Sequence, residues 1–374
     1  VHGSLIAGAK TTTFTSSQGL MLMLPNMYKI AGEGLPTVFY VAARTVATQA
    51  LSIFCDYSDI YACMKTGFNI INCSSVQEVN DIAIACELAS MKSGTPFICF
   101  FDGFRTSHEL NTIYMSELED VKKVVDYSDI AEFKNRAMNN HEPFSAGTNQ
   151  NPDVYMQSRV RALDRYKDII SVVKDSLKKQ SEITNRTYDT VEYFGDANSR
   201  DVVVAMGTAA DVLTLAKKQY KGKVGILKVR LLKPFDEKTF IEKLPKNVRN
   251  VTILERNLDV NGIDTLTSFV LSALQKHKIK AKTYSGSYGL GGKEFTPDMA
   301  MSVFDNMLDR KKEFFTLGVY DNVTQTNLEV KERFVDNISD FSMRVYGLGS
   351  DGSVSSVKNI IKILGEETTS SVSY

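Results

Sequence analysis

The chain has 374 residues, 43% of them hydrophobic and 24% charged, with 44 basic and 44 acidic side chains. That length fits about two to three domains of ordinary globular composition. The charge balance argues against nucleic acid or an anionic membrane surface as a partner, and no apolar run reaches the roughly 18 residues of a membrane-spanning helix.

In chain order, residues 2–10 ("HGSLIAGAK") read as a helix leading into a strand at 11–15. The stretch "TTTFTSSQGL" suits the floor of a cofactor pocket, and equally an N-cap for the apolar run behind it, which Pro25 and Asn26 interrupt. Near-continuous apolar runs at 37–43, 67–75 and 95–103 predict strands of a parallel sheet covered on both faces. Before the last of these, Ser75 and Glu78 form a capping box. Val76, Val79, Ile82, Ala83 and Cys86 mark one buried helix face, and Gly94 ends the helix. Residues 141–153 read as a long ordered loop, followed by a polar helix near 159–180. A composition break at 192–201 precedes strands at 201–207, 223–232, 250–257 and 280–286, with helices between them, the first from Ala210. The run 342–349 starts a third unit with another strand. The fold class expected is α/β: two consecutive three-layer α/β/α domains with mainly parallel sheets, then a truncated third domain. The N-terminus lacks a Met and a targeting segment. Both ends read as cut, as in an internal piece of a longer polypeptide.

Cys55, Cys63, Cys73, Cys86 and Cys99 are odd in number, and no two have C-x-x-C spacing. They predict reduced, buried thiols of an intracellular protein rather than a disulfide, zinc or iron–sulfur framework within the chain. His2, His141 and His277 are too scattered for a metal site, and none is expected. Arg44 follows directly on a buried strand, at the edge where open α/β sheets bind ligands. A guanidinium there either clamps a carboxylate through two parallel hydrogen bonds or closes a structural ion pair. Asp102, Arg105 and His108 cluster after another strand end. They suit proton transfer, or a loop braced by an Asp–Arg pair. Gly347, Gly349 and Gly352 form a G-x-G-x-x-G at the chain's far end. It reads as a tight turn, a phosphate contact or, least well, a dinucleotide site, since no second strand and acid follow.

Long stretches resemble the pyruvate:ferredoxin (flavodoxin) oxidoreductase family. They are residues 2–33, 41–54, 100–109, 149–155, 226–235, 286–307 and 346–354. The resemblance implies a thiamine pyrimidine-binding domain over 1–188, a transketolase C-terminal-like domain over 189–342 and the start of a coenzyme A-associated domain over 343–374. It implies oxidative decarboxylation of pyruvate with coenzyme A to acetyl-CoA and carbon dioxide, the electrons passing to ferredoxin or flavodoxin. The full-length enzyme of that family carries thiamine diphosphate, Mg2+ and 4Fe–4S clusters and is a homodimer; the isolated piece is expected to be inactive. Residue by residue, Arg44 matches the arginine that binds the pyruvate carboxylate. Gly349, Ser350, Asp351, Gly352, Ser353 and Val354 match a loop that helps bind coenzyme A. Thr15, Gln18, Asp102, Arg105, His108 and Lys358 are expected near the active site. The chain departs from the family at Cys55 and Tyr57, where Gly and His are usual, and within Ser353–Lys358. A fusion passing electrons to NADP, or a non-catalytic scaffold as in sulfite reductase flavoproteins, are the alternatives. Cytoplasm and a hydrogenosome-like organelle both fit.

Overall fold

A computed structural model describes residues 1–309, 311–335 and 343–368. Helix α1 (His2–Ile6) and strand β1 (Thr13–Thr15) lead into α2 (Ser17–Glu33). Then come β2 (Val38–Ala43), α3 (Ser58–Ala62), β3 (Asn69–Cys73), α4 (Val76–Ser93) and β4 (Phe97–Asp102). These four strands are parallel, in the order β1-β2-β4-β3. The chain continues through α5 (Leu118–Val124), α6 (Tyr127–Asn135), α7 (Pro152–Arg161) and α8 (Ile169–Thr184). Successive residues of β4 enter different cores. Phe97 and Cys99 pack with Ile82 and Ala85 of α4 and Val173 and Leu177 of α8. Ile98 and Phe100 pack with Leu20, Met27 and Ile30 of α2. A strand buried on both faces has no polar positions to spare, which is why its sequence runs apolar without alternation.

The cap of α4 is half of the expected box. Ser75 Oγ accepts from the Glu78 amide at 3.1 Å, but the Glu78 carboxylate accepts from the Ser74 amide, not that of Ser75. Its buried face carries Ile82, Ala85, Cys86 and Ala89, whereas Val76, Val79 and Ala83 are only partly covered. The polar helix expected near 159–180 is two helices, α7 and α8, joined by a 3-10 turn at Ala162–Tyr166.

The second sheet is built from β5 (Val191–Phe194), β6 (Asp201–Ala205), β7 (Val224–Val229), β9 (Asn250–Glu255), β10 (Lys282–Ser287) and β11 (Phe314–Thr316). Helices α9 (Thr208–Gln219), α10 (Glu237–Lys243), α11 (Thr265–Lys276) and α12 (Pro297–Asp309) lie between them. Its order is β11-β10-β9-β6-β7-β5, parallel except for β5 against β7. The short strand β8 (Leu231–Lys233) leaves this sheet and pairs antiparallel with β3 of the first. The two α/β units are therefore not simply consecutive: a strand from beyond residue 189 completes the first sheet. All five cysteines are free and buried.

The strand expected ahead of the glycine loop does not form over 343–349, and the expected boundary at 342 lies outside the described residues. Met343, Val345, Tyr346 and Leu348 are exposed, with no strand among the described residues beside them, and an unpaired strand leaves its backbone groups unmet. Helix α13 (Ser353–Glu367) follows and buries only Val357.

Candidate functional site

Parallel pairing brings the carboxyl ends of β1, β2 and β4 to one rim. Thr15 lies opposite Val41, and Ala43 opposite Asp102. Arg44 and Gly103 are the next residues along. Gly103 donates its amide to the Ala43 carbonyl at 3.0 Å, and a Cβ on it would stand 2.7 Å from Arg44 Cγ. Only a glycine lets the two chains approach this closely.

The Arg44 guanidinium carbon lies 4.7 Å from the centre of the Phe104 ring. Its Nε is buried with no acceptor, and among the described residues Arg44 makes no ion pair. The Phe104 ring stacks on His108 at 4.4 Å with planes 5° apart, and meets Phe54 at 4.7 Å. Phe104 has a positive φ of 62°, a costly conformation for a side chain of this size. The turn is held by the Phe104 amide donating to Ser107 Oγ at 2.9 Å and the Thr106 amide donating to the Asp102 carbonyl at 2.9 Å. Burial, then Arg44, then Lys358 of α13 hold the His108 pKa below its ordinary value. Arg44, His108 and Lys358 thus share one electropositive neighbourhood.

Asp102 does not face this neighbourhood. It is fully buried, accepting from Tyr57 Oη at 2.7 Å, from Arg256 Nη1 at 2.6 Å and from Thr208 Oγ1. Neither proton transfer nor a brace to Arg105 describes it. Its cation comes from the end of β9, and Arg105 is exposed. Tyr57, where the resemblance led us to expect His, still supplies a donor to this carboxylate. The second sheet's order reverses between β6 and β9, the place where such sheets usually take a ligand. Here Tyr57 and Asp102 fill it, and Asn72 accepts from the Gly207 amide at 2.6 Å.

Thr15 ends β1, half-buried, and Gln18 is exposed on the first turn of α2. Ser16, at the N-cap of α2, makes no side-chain capping bond. Asp59, which gave no signal beyond an acid following a serine, organises this corner. It is fully buried, and its Oδ2 accepts from the amides of Ser17 at 2.8 Å and Arg44 at 3.1 Å. Burial pushes its carboxyl up to about 7, against the pull of those amides. Glu255 was also missed. It accepts from Tyr61 Oη and the Thr267 amide, both at 2.6 Å, and burial raises it to about 7.

In the glycine loop, Gly349, Ser350 and Gly352 have positive φ. Asp351 accepts from the Leu348 amide at 2.7 Å, the Ser353 amide at 2.9 Å and Ser353 Oγ at 2.6 Å, bonds that hold its carboxyl down to about 2. Without a preceding strand, and with its own anion at the start of α13, the loop lacks the dinucleotide arrangement. Val354 is exposed on the first turn of that helix. A cavity of 670 Å³ lined by α4, α6 and α8 shares no residue with the rim. Among the described residues no cluster of His, Cys, Asp or Glu could hold a metal ion.

Comparison with known proteins matches residues 1–178 to the family described as pyruvate flavodoxin/ferredoxin oxidoreductase, thiamine-diphosphate-binding. Residues 200–300 match pyruvate:ferredoxin oxidoreductase core domain II. Over 98% of its length the chain is 45% identical to pyruvate:ferredoxin oxidoreductase of Moorella thermoacetica, of which it covers 32%. It is 40% identical to pyruvate-flavodoxin oxidoreductase of Enterobacter agglomerans, covering 32%, and 39% identical to pyruvate dehydrogenase (NADP+) of Cryptosporidium parvum, covering 20%. The chain thus spans a third or less of the length of these relatives. In fold it resembles the 2-oxoglutarate:ferredoxin oxidoreductase of Magnetococcus marinus, solved with 2-oxoglutarate, coenzyme A and succinyl-CoA bound. The TM-score is 0.55 at 18% identity, over 82% of this chain and 55% of that one.

Proposed function

The chain belongs to the pyruvate flavodoxin/ferredoxin oxidoreductase family, and on that premise we propose that it forms the substrate-holding part of an enzyme that oxidatively decarboxylates pyruvate with coenzyme A, passing electrons to ferredoxin or flavodoxin. One observation carries the reading. Arg44 keeps a guanidinium at the rim of a parallel sheet, with no carboxylate partner among the described residues. A cation held without a counter-ion is ready for an anion from outside, and a planar fork suits the carboxylate of a 2-oxo acid. Arg44 fixes that carboxylate, and with it the direction of the neighbouring carbonyl. Thr15 and Gln18 border the same rim.

Thiamine diphosphate, when bound, supplies the carbanion-stabilising ring on which a 2-oxo acid loses carbon dioxide. The described residues fit only its margin. Asp59 and Asp102 are committed to amides, Tyr57, Thr208 and Arg256, and no metal-holding cluster is present among them. Ring activation and diphosphate binding are therefore assigned no residue here. Lys358 is within electrostatic reach of His108, and it and the loop Gly349–Val354 are proposed to meet coenzyme A. Because Asp351 occupies its own helix start, Lys358 is the phosphate contact and the loop supplies shape.

In the full-length protein, Arg44→Leu should lower kcat/KM for pyruvate on the order of 100-fold, and Arg44→Lys by about tenfold, as expected for a charge-assisted pair. Unchanged steady-state kinetics in the leucine variant would remove the role.

A further inference from the structure

Arg44 needs its direction fixed by something, yet among the described residues no acid does it. An acidic partner would orient the guanidinium but would also occupy the donors and neutralise the charge that an incoming carboxylate needs. An aromatic face holds a cation through its quadrupole and leaves the N–H edge free. Phe104 provides that face at 4.7 Å, and Gly103 provides the space for the arginine stem. The ring is itself clamped. His108 stacks on it and Phe54 meets it at a 50° tilt. Phe54 in turn is backed by the second sheet's unit: a Cβ on Gly292 would lie 2.6 Å from Phe54 Cβ, and the Gly292 amide donates to the Cys55 carbonyl at 2.8 Å.

From this we infer that Phe104 is a positioning residue for the substrate carboxylate, a neutral seat that aims Arg44 and is buttressed through Phe54 by the Gly292 turn. The inference rests on the reading of Arg44 as the carboxylate anchor. It explains how a phenylalanine can stand at positive φ: strain in the turn is held in place by the stacked His108 ring and the tilted Phe54 ring. It also makes the second unit part of substrate recognition without placing any of its residues on the substrate.

The test is steady-state kinetics of the full-length protein with pyruvate, on Phe104→Leu, Phe104→Tyr and Phe54→Leu, each also in an Arg44→Lys background, with Arg44→Leu alongside. Leucine at 104 keeps an apolar side chain and the same backbone strain but removes the π face. Phe104→Leu should raise KM about five- to tenfold with kcat within about twofold, in line with a partly desolvated cation–π contact. Phe104→Tyr should restore KM to within about twofold, and Phe54→Leu should raise it about threefold. In the Arg44→Lys background the Phe104→Leu effect should shrink, because the flat guanidinium it supported is gone. If Arg44→Leu raises KM and Phe104→Leu does not, the seat is wrong and the anchor stands. If neither moves KM, both fall. A loss in kcat alone, without tyrosine rescue, would mark Phe104 as structural and also overturn the inference.

Discussion

Asp59 shows how much a single buried acid can govern at this rim. One carboxylate oxygen gathers the amides that begin α2 and follow β2, so it fixes the backbone of Arg44 rather than its side chain. Burial raises the carboxyl from 3.8 to about 7. Between those values the folded chain keeps a proton that the unfolded chain releases. The resulting stability is therefore complete below about pH 4 and is lost as pH rises through about 7. Asp59→Asn carries no such proton, so its stability should fall less steeply across that window, by up to about 1.4 kcal/mol per pH unit. Urea midpoints at several pH values measure the slope, and parallel curves for the two proteins would refute the assignment. Arg44 could be singled out in the sequence because a charged side chain follows directly on a buried strand, though its residue type left a carboxylate clamp and an ion pair equally open. The partner of Asp102 could not be read, because it is 154 residues away while Arg105, three residues on, looks closer on paper. Phe104 was invisible for a related reason: its contact depends on a positive φ and on Gly103 touching Ala43, neither of which a residue type announces.

At the level of elements, a helix start with a side-chain signature was readable and three of the four edge strands were not. Ser75 was identified from spacing alone, and its hydroxyl caps the Glu78 amide. Ser75→Ala should therefore cost about 1 kcal/mol, and Ser75→Asp should recover most of it, read as shifts of the denaturation midpoint. If alanine is neutral, the cap contributes nothing that water does not. Strands β5, β8 and β11 have four, three and three residues, too few for a period to declare itself, and were missed; β1 is as short but was read from its β-prone run ahead of a Ser-Ser-Gln-Gly turn. Strand β8 was also hidden within one apolar run, 223–232, which Arg230 divides between two sheets. The reverse error occurred over 343–349, where β-prone residues made a strand pattern that finds no neighbour among the described residues. Propensity supplies the residues of a strand; a sheet edge decides whether one forms.

Across the whole molecule the two sheets share a polar wall, and this limits how independently they can behave. Lys228 of β7 reaches into the first unit, donating to Ser74 Oγ and Glu78 Oε1, both at 2.7 Å. Arg230 donates to the same Glu78 oxygen at 2.9 Å and to Glu192 at 3.0 Å. Burial would raise the Glu78 carboxyl, but Arg230 and Lys228 overcome it and hold it down to about 2. A pair of buried cations on one carboxylate contributes little net stability when intact and costs several kcal/mol when the anion is removed. Asp211 and Glu192 remain to offset part of that loss. Glu78→Gln should therefore destabilise by about 3 kcal/mol, whereas Glu119→Gln, which breaks an exposed pair with Lys122, should change stability by less than about 1 kcal/mol. The same wall ties β9 to β4 through Arg256 and Asp102, directly beneath the turn that carries Phe104. Loosening one end should then be felt at the other. Hydrogen exchange of the Thr106 and Ser107 amides, whose bonds to the Asp102 carbonyl hold that turn, should quicken in Glu78→Gln beyond what the global loss of stability accounts for. Equal exchange after that correction would mean that the two sheets meet without mechanical coupling, and that the second serves only as a support.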